Sequence, residues 1–195
     1  RRVLFRSSPQ FAEPRARWLA HTASACLVDE ARLSPKPGLV DSRGNGAHQD
    51  LSLALMERSA RSLQPTFHAL AQQSWLRPAD VALRETVGRL GREGEAQMMQ
   101  ATAGVNTHRG AIWALGLLVS ATAMLGGEGH AQRIAETAAA LARLPDACAP
   151  KTFSKGLRAS RRWQVPGARE EAQRAFPHVT TLALPRLLRS RAEGA

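Results

Sequence analysis

Seventeen residues, 34–50 (SPKPGLVDSRGNGAHQD), gather Lys36, Asp41, His48 and Asp50 into one short stretch. A carboxylate can take a proton or hold a hard cation, an imidazole titrates near neutral pH, and an ammonium neutralises phosphate. No helical or strand period runs through the stretch, which predicts an ordered loop. Pro35 and Pro37 fix φ and remove backbone donors, while Gly38, Gly44 and Gly46 can take up conformations closed to other residues. Such a loop can hold the four side chains around a small volume, or serve only as a solvated connection. A second polar stretch, 104–110 (GVNTHRG), carries Asn106, Thr107, His108 and Arg109 straight into an apolar run. A helix starting there needs partners for its first free N–H groups. Thr107 or Asn106 could cap it, or an anion could; with His108 and Arg109 alongside, that end suits a polyphosphate.

The elements that must position these loops read as helices. The first starts near Pro14 and runs to about Leu33, with Trp18, Ala25, Cys26 and Leu33 on an inner face and Val28 close by. Glu30 falls near its end, where the macrodipole disfavours an acid, so it either faces a metal or a base or is simply solvated. Asp50 is placed to N-cap a helix over LSLALMERSARSL, and Pro65 restarts another. Pro78 and Asp80 open a long amphipathic helix with Val81, Leu83, Val87, Leu90 and the methionines inward. Gly88, Gly91 and Gly94 imply either close backbone packing there or a break near Gly91. From about 109 to 125 the chain has no charge after its first turn, which predicts a central buried helix. Gly126–Gly127 ends it, an alanine-rich helix follows, and no strand-like alternation stands out. The fold class is all-α: a single multi-helix domain with polar loops at 34–50 and 104–110.

The formal charge of +11 is unevenly spread: +3 in residues 1–7, +7 in 150–195 and +1 between them. That distribution argues against a broad nucleic-acid face on the main body. Residues 1–7 (RRVLFRS) read as a foreign, adapter-like segment and are set aside from fold reasoning. Cys26 and Cys148 show no C-x-x-C spacing and no secretory segment is evident, so a reduced, cytoplasmic protein is expected. The most apolar stretch, 111–127, is short and soft for a membrane span. Lys155, Arg158 and Arg169 in the basic segment could reach phosphates, or form a solvated face.

Taken together, the pieces PKPGLVD and GAHQD after a helix bearing Glu30, and GVNTHRGAI further on, resemble the triphosphoribosyl-dephospho-CoA synthase family. TFSKGL and GAREEA are similar to it as well. Those enzymes make the prosthetic-group precursor of citrate lyase and malonate decarboxylase, and the first loop looks closer to the malonate decarboxylase branch. The resemblance implies transfer of the triphosphoribosyl group of ATP to the 2′-hydroxyl of 3′-dephospho-CoA, with adenine expelled and C1′ inverted. It further implies that the product passes to an acyl carrier protein through a separate transferase. Asp41, His48 and His108 become candidates for proton transfer, and Lys36, Asn106, Thr107, Arg109 and Lys155 for holding substrate phosphates. Glu30 and Asp50 become candidates for Mg²⁺ arriving with ATP; Asp41 or Asp50 could act as base or metal ligand, and either histidine could serve adenine or the hydroxyl. The family continues past the C-terminus seen here, so residues 8–195 are expected to cover the N-terminal two thirds of one domain, with an exposed apolar patch where further helices would dock. Two rival readings are a helical nucleic-acid-binding module using the basic tail and a metal-dependent nucleotide hydrolase. The first gives no reason for the loop motifs; the Asp/His loops allow the second, but no H-D pair or known metal spacing is present.

Overall fold

A computed structural model describes residues 9–149 and 167–194. Its elements are α1 (Pro9–Arg32), α2 (Leu53–Ser62), α3 (Gln64–Ser74), α4 (Val81–Ala101), α5 (Arg109–Met124), α6 (Ala131–Arg143), α7 (Ala168–Gln173), a π-helical turn (His178–Ala183) and α8 (Leu184–Ala192). Among the described residues there is no strand, only an isolated bridge between Asp41 and Gly44. The all-α expectation holds. Lys155 and Arg158 lie outside the described residues, as do TFSKGL and the 1–7 segment.

α5 is the central rod. Its buried residues Ile112, Gly116, Leu117, Val119, Ser120, Ala121 and Ala123 pack it against α1, α3, α4, α6 and α7. An apolar helix free of charge beyond its first turn can sit there without burying a charge. Its end comes at Leu125, where Gly126 (φ +73°) and Gly127 (φ +80°) turn the chain.

α1 departs from the sequence reading in two ways. Its helix begins at Pro9, with Pro14 inside it, because one lost backbone bond near an exposed helix end is cheap against the burial further along. Its inward face is Ala16, Leu19, Ala20, Ala23, Leu27, Val28 and Ala31, whereas Trp18 and Leu33 are 53% and 64% exposed and Cys26 is exposed too. The alanines let α1 lie close against α2 and α3, where an indole would hold the helices apart. Trp18 instead lies under the Arg15 guanidinium, 6.0 Å from its ring centre.

Two helix starts also resolve. α2 is capped by Ser52, whose hydroxyl accepts from the Leu55 N–H at 3.2 Å; Asp50 lies two residues too early. α4 is capped by Asp80 as expected, with Leu83 N–H donating at 2.7 Å. It is continuous through its glycines, and Val81 is exposed rather than inward. A Cβ at Gly94 would sit 2.5 Å from Thr66 of α3, so close packing, not a break, explains that glycine. α8 buries none of its residues, and Val179, Leu182, Leu187 and Leu188 form an exposed apolar strip along the C-terminal helices.

Candidate active site

The 34–50 loop is organised by Asp41, buried at 3% exposure. One carboxylate oxygen accepts from the Lys36 N–H at 2.9 Å, the Ser34 hydroxyl at 3.1 Å and the Arg43 Nε–H at 3.1 Å. The other accepts from the Arg43 N–H at 2.8 Å. The Lys36 N–H, then the Arg43 side chain and its N–H, with the Ser34 hydroxyl weaker, hold this carboxyl far below the usual carboxylate range against desolvation. Asp41 is therefore a poor proton acceptor at neutral pH and a strong organiser of its loop. Gly46 lets the loop close on itself: at φ +60° its α-carbon sits where a Cβ would lie 2.5 Å from the Leu39 carbonyl oxygen. The loop borders an open hollow of about 260 Å³ lined by Lys36, Asp41 and Arg43 among others.

Lys36 turns back onto the end of α1. Its Nζ donates to the Glu30 carbonyl at 2.7 Å and to Glu30 Oε1 at 3.0 Å. The lysine thus supplies the cation that a helix C-terminus and an acid there both need. Of the alternatives the sequence left for Glu30, the base partner is the one present.

The 104–110 loop is fastened to α2 from the other side. His108 is buried at 5% exposure, and its Nδ1 lies 2.7 Å from the Ser59 Oγ of α2. That hydroxyl is also 2.5 Å from the Thr107 Oγ1, and the His108 N–H points at the Met98 sulfur at 3.2 Å. His108 Nε2 is buried with no hydrogen-bond partner among the described residues. Burial pushes the His108 imidazole below its ordinary value, and the Glu30 carboxylate opposes that shift. Asn106 Oδ1 accepts from the Arg109 N–H at 3.3 Å, so Asn106 meets a first-turn donor of α5, while Thr107 turns to Ser59. Arg109 pairs with Glu95 of α4.

The structure thus joins Lys36 to Glu30, and Thr107 and His108 to Ser59, with Asp41 holding the loop that carries Lys36. His48 is half-buried, and its N–H donates to Asn45 at 3.1 Å; Asp50 is exposed. Among the described residues neither side chain hydrogen-bonds or ion-pairs with His108. No group of three His, Cys, Asp or Glu that could hold a metal ion occurs among the described residues. Glu30 is taken by Lys36 and Asp41 by its loop, so these residues do not form an all-protein cage for Mg²⁺. Ser59 is the residue that sequence reading missed: one serine in ERSARS carries no spacing signal, and only its position on α2 places it under His108.

The sequence model described as ATP:dephospho-CoA triphosphoribosyl transferase matches residues 16–195. The chain belongs to this family. It is 85% identical over 188 residues to a 2-(5''-triphosphoribosyl)-3'-dephosphocoenzyme-A synthase of Klebsiella pneumoniae, covering 96% of the chain and 67% of that relative. It is 56% identical to a probable synthase of the same name from Stutzerimonas stutzeri, over 99% of the chain and 66% of the relative. For a probable synthase from Azotobacter vinelandii the identity is 55%, over 90% of the chain and 61% of the relative. The chain thus spans about two thirds or less of the length of these family members. No solved structure matches it. No described helix is long and apolar enough to cross a membrane.

Proposed function

We propose that the chain carries the transfer of the triphosphoribosyl group of ATP to the 2′-hydroxyl of 3′-dephospho-CoA, with release of adenine. The observation that carries the site assignment is the buried, unmatched Nε2 of His108, whose imidazole feels the charge of the Glu30 carboxylate. Membership of the triphosphoribosyl transferase family supplies the reaction class.

In this reaction the 2′-oxygen attacks C1′ of the ATP ribose, the C1′–N9 bond breaks, and adenine leaves with the bonding pair and takes up a proton. The attacking hydroxyl must lose one. A depressed pKa keeps His108 neutral at pH 7, which suits a proton acceptor better than a donor. The tautomer that donates from Nδ1 to Ser59, with Ser59 donating on to Thr107, leaves the Nε2 lone pair free for that proton. Lys36 binds phosphate through the ammonium hydrogen that Glu30 does not use, and Arg43, Asn106 and Arg109 line the approach of the triphosphate. Lys155 adds to this set from the basic segment. His48 serves the departing adenine. Mg²⁺ enters on the ATP triphosphate as part of the substrate, with the exposed Asp50 as the nearest free carboxylate of the loop, and the product goes on to an acyl carrier protein through a separate transferase. The loop's likeness to the malonate decarboxylase branch favours that enzyme's prosthetic group as the destination.

Adenine release from ATP, measured with and without 3′-dephospho-CoA and followed by mass spectrometry of the CoA product, tests the reading. Adenine should appear only with the acceptor, together with a triphosphoribosyl adduct. His108→Ala should lower turnover by about 10²–10⁴-fold, the usual share of a positioned proton acceptor. A folded His108→Ala variant with full turnover would overturn the assignment.

A further inference from the structure

A cleft of about 220 Å³ opens between α4 and α5, sharing only Arg109 with the residues assigned above. Its floor is apolar, with Val87, Ile112, Leu117 and the Trp113 indole. Its charged groups are Arg84, Arg92 and Arg109 against Asp146 and Glu95. Among the described lining residues three arginines thus share two carboxylates. One carboxylate oxygen of Asp146 serves two arginines, Arg84 at 3.3 Å and Arg92 at 2.8 Å.

Arg84 is the unusual member. It is 5% exposed, its guanidinium lies 5.3 Å from the Trp113 ring centre, and its Nε has no hydrogen-bond partner among the described residues. A buried cation with an unused donor is costly unless something accepts from it. Desolvation pushes its ionisation below the ordinary arginine range, Asp146 opposes that, and Arg169 and Arg92 add repulsion. An anion at the mouth of the cleft would offset the mutual repulsion of these arginines.

Pockets for drug-sized molecules begin at about 300 Å³, so this one takes a single ring system and leaves any phosphates at its mouth. Arg92 and Arg109, with side chains 31% and 54% exposed, stand at that mouth. We propose that the α4–α5 cleft binds the adenosine diphosphate moiety common to ATP and 3′-dephospho-CoA, with the base on the apolar floor beside Trp113 and the phosphates on Arg92 and Arg109. The proposal rests on the transfer reading for its choice of ligand.

Gly91 gives a clean test. It lines the cleft in the middle of α4, and a Cβ there would meet nothing nearer than Ile112 Cγ2 at 3.9 Å. A longer side chain therefore grows into the cleft rather than against backbone. Calorimetric titration of the chain with ADP should show binding that weakens at least tenfold in Gly91→Leu. Arg92→Gln should weaken ADP severalfold, make the remaining binding less salt-dependent, and leave adenosine binding nearly unchanged. Separate titrations with ATP and with 3′-dephospho-CoA identify the occupant as the substrate whose affinity falls in Gly91→Leu. Absence of ADP binding to the unaltered chain overturns the proposal, as does unchanged affinity for both ATP and 3′-dephospho-CoA in folded Gly91→Leu. If Gly91→Leu melts early, the Arg92→Gln comparison decides alone: unchanged ADP affinity there overturns the proposal. These readouts need no turnover. ADP binding lost in Gly91→Leu while no adenine is ever released would refute the transfer reading and uphold the cleft.

Discussion

Gly88 and Gly91 lie on one helix, one turn apart, and replacing each by alanine should move stability in opposite directions. In a helix interior alanine is better than glycine by about 1 kcal/mol. At Gly91 nothing opposes that gain, since the new Cβ makes only an ordinary contact at 3.9 Å. At Gly88 the new Cβ would lie 2.0 Å from Asp146 Oδ2, 2.9 Å from Cγ and 3.0 Å from Arg84 Nη1. Asp146 cannot simply swing away. Its side chain is 2% exposed, both arginines hold Oδ2, and Oδ1 accepts from the Cys148 N–H at 3.0 Å. Breaking a buried ion pair costs about 3–5 kcal/mol, so Gly88→Ala should lose a net ~2–4 kcal/mol after the propensity gain. For a chain of this size each kcal/mol moves the melting temperature by roughly 2–4 °C. Thermal denaturation followed by circular dichroism should therefore show Gly91→Ala slightly above the unaltered chain and Gly88→Ala several degrees below it. Equal shifts, or a neutral Gly88→Ala, would show that the Asp146 cluster is not locked and would refute the reasoning.

Removing the Ser59 hydroxyl with Ser59→Ala strips His108 Nδ1 of its buried partner, for a loss of about 1–3 kcal/mol. Urea denaturation would measure it, and a cost near zero would mean that the hydroxyl relay holds nothing in place. The acid side of the stability curve should carry the mark of His108. Its folded-state pKa lies below the unfolded value, so the unfolded chain binds the proton first. The stability this contributes is whole above about pH 6.5 and is lost as pH falls below that, at no more than about 1.4 kcal/mol per pH unit. His108→Gln should flatten that limb. Parallel curves for the two proteins would sink the idea that His108 is buried neutral.

Much of the frame was legible in the residues. The charge-free run after Arg109 could only be an inner helix, Asp80 and Pro65 marked helix starts, and the glycines and prolines of 34–50 announced an ordered loop. These are local properties, written in the dihedral limits, capping chemistry and hydrophobic period of a few neighbouring residues. Which face of α1 turns inward was not local. Trp18 and Cys26 looked like core, yet alanines won because helix-to-helix distance is set by both partners. The same holds at the candidate site. The sequence named Glu30, Lys36, Asp41 and His108, but not that Asp41 spends its carboxylate on its own loop or that Lys36 closes on Glu30. Ser59 and Arg84 gave no signal at all, because an isolated serine or arginine on a helix acquires meaning only from what packs across from it. The sequence by itself determined the helical class, the Asp80 cap and the chemical types in the two loops. Tertiary packing alone decided which of those groups lie beside one another and which polar atoms are buried without partners, since burial and proximity are properties of the whole fold.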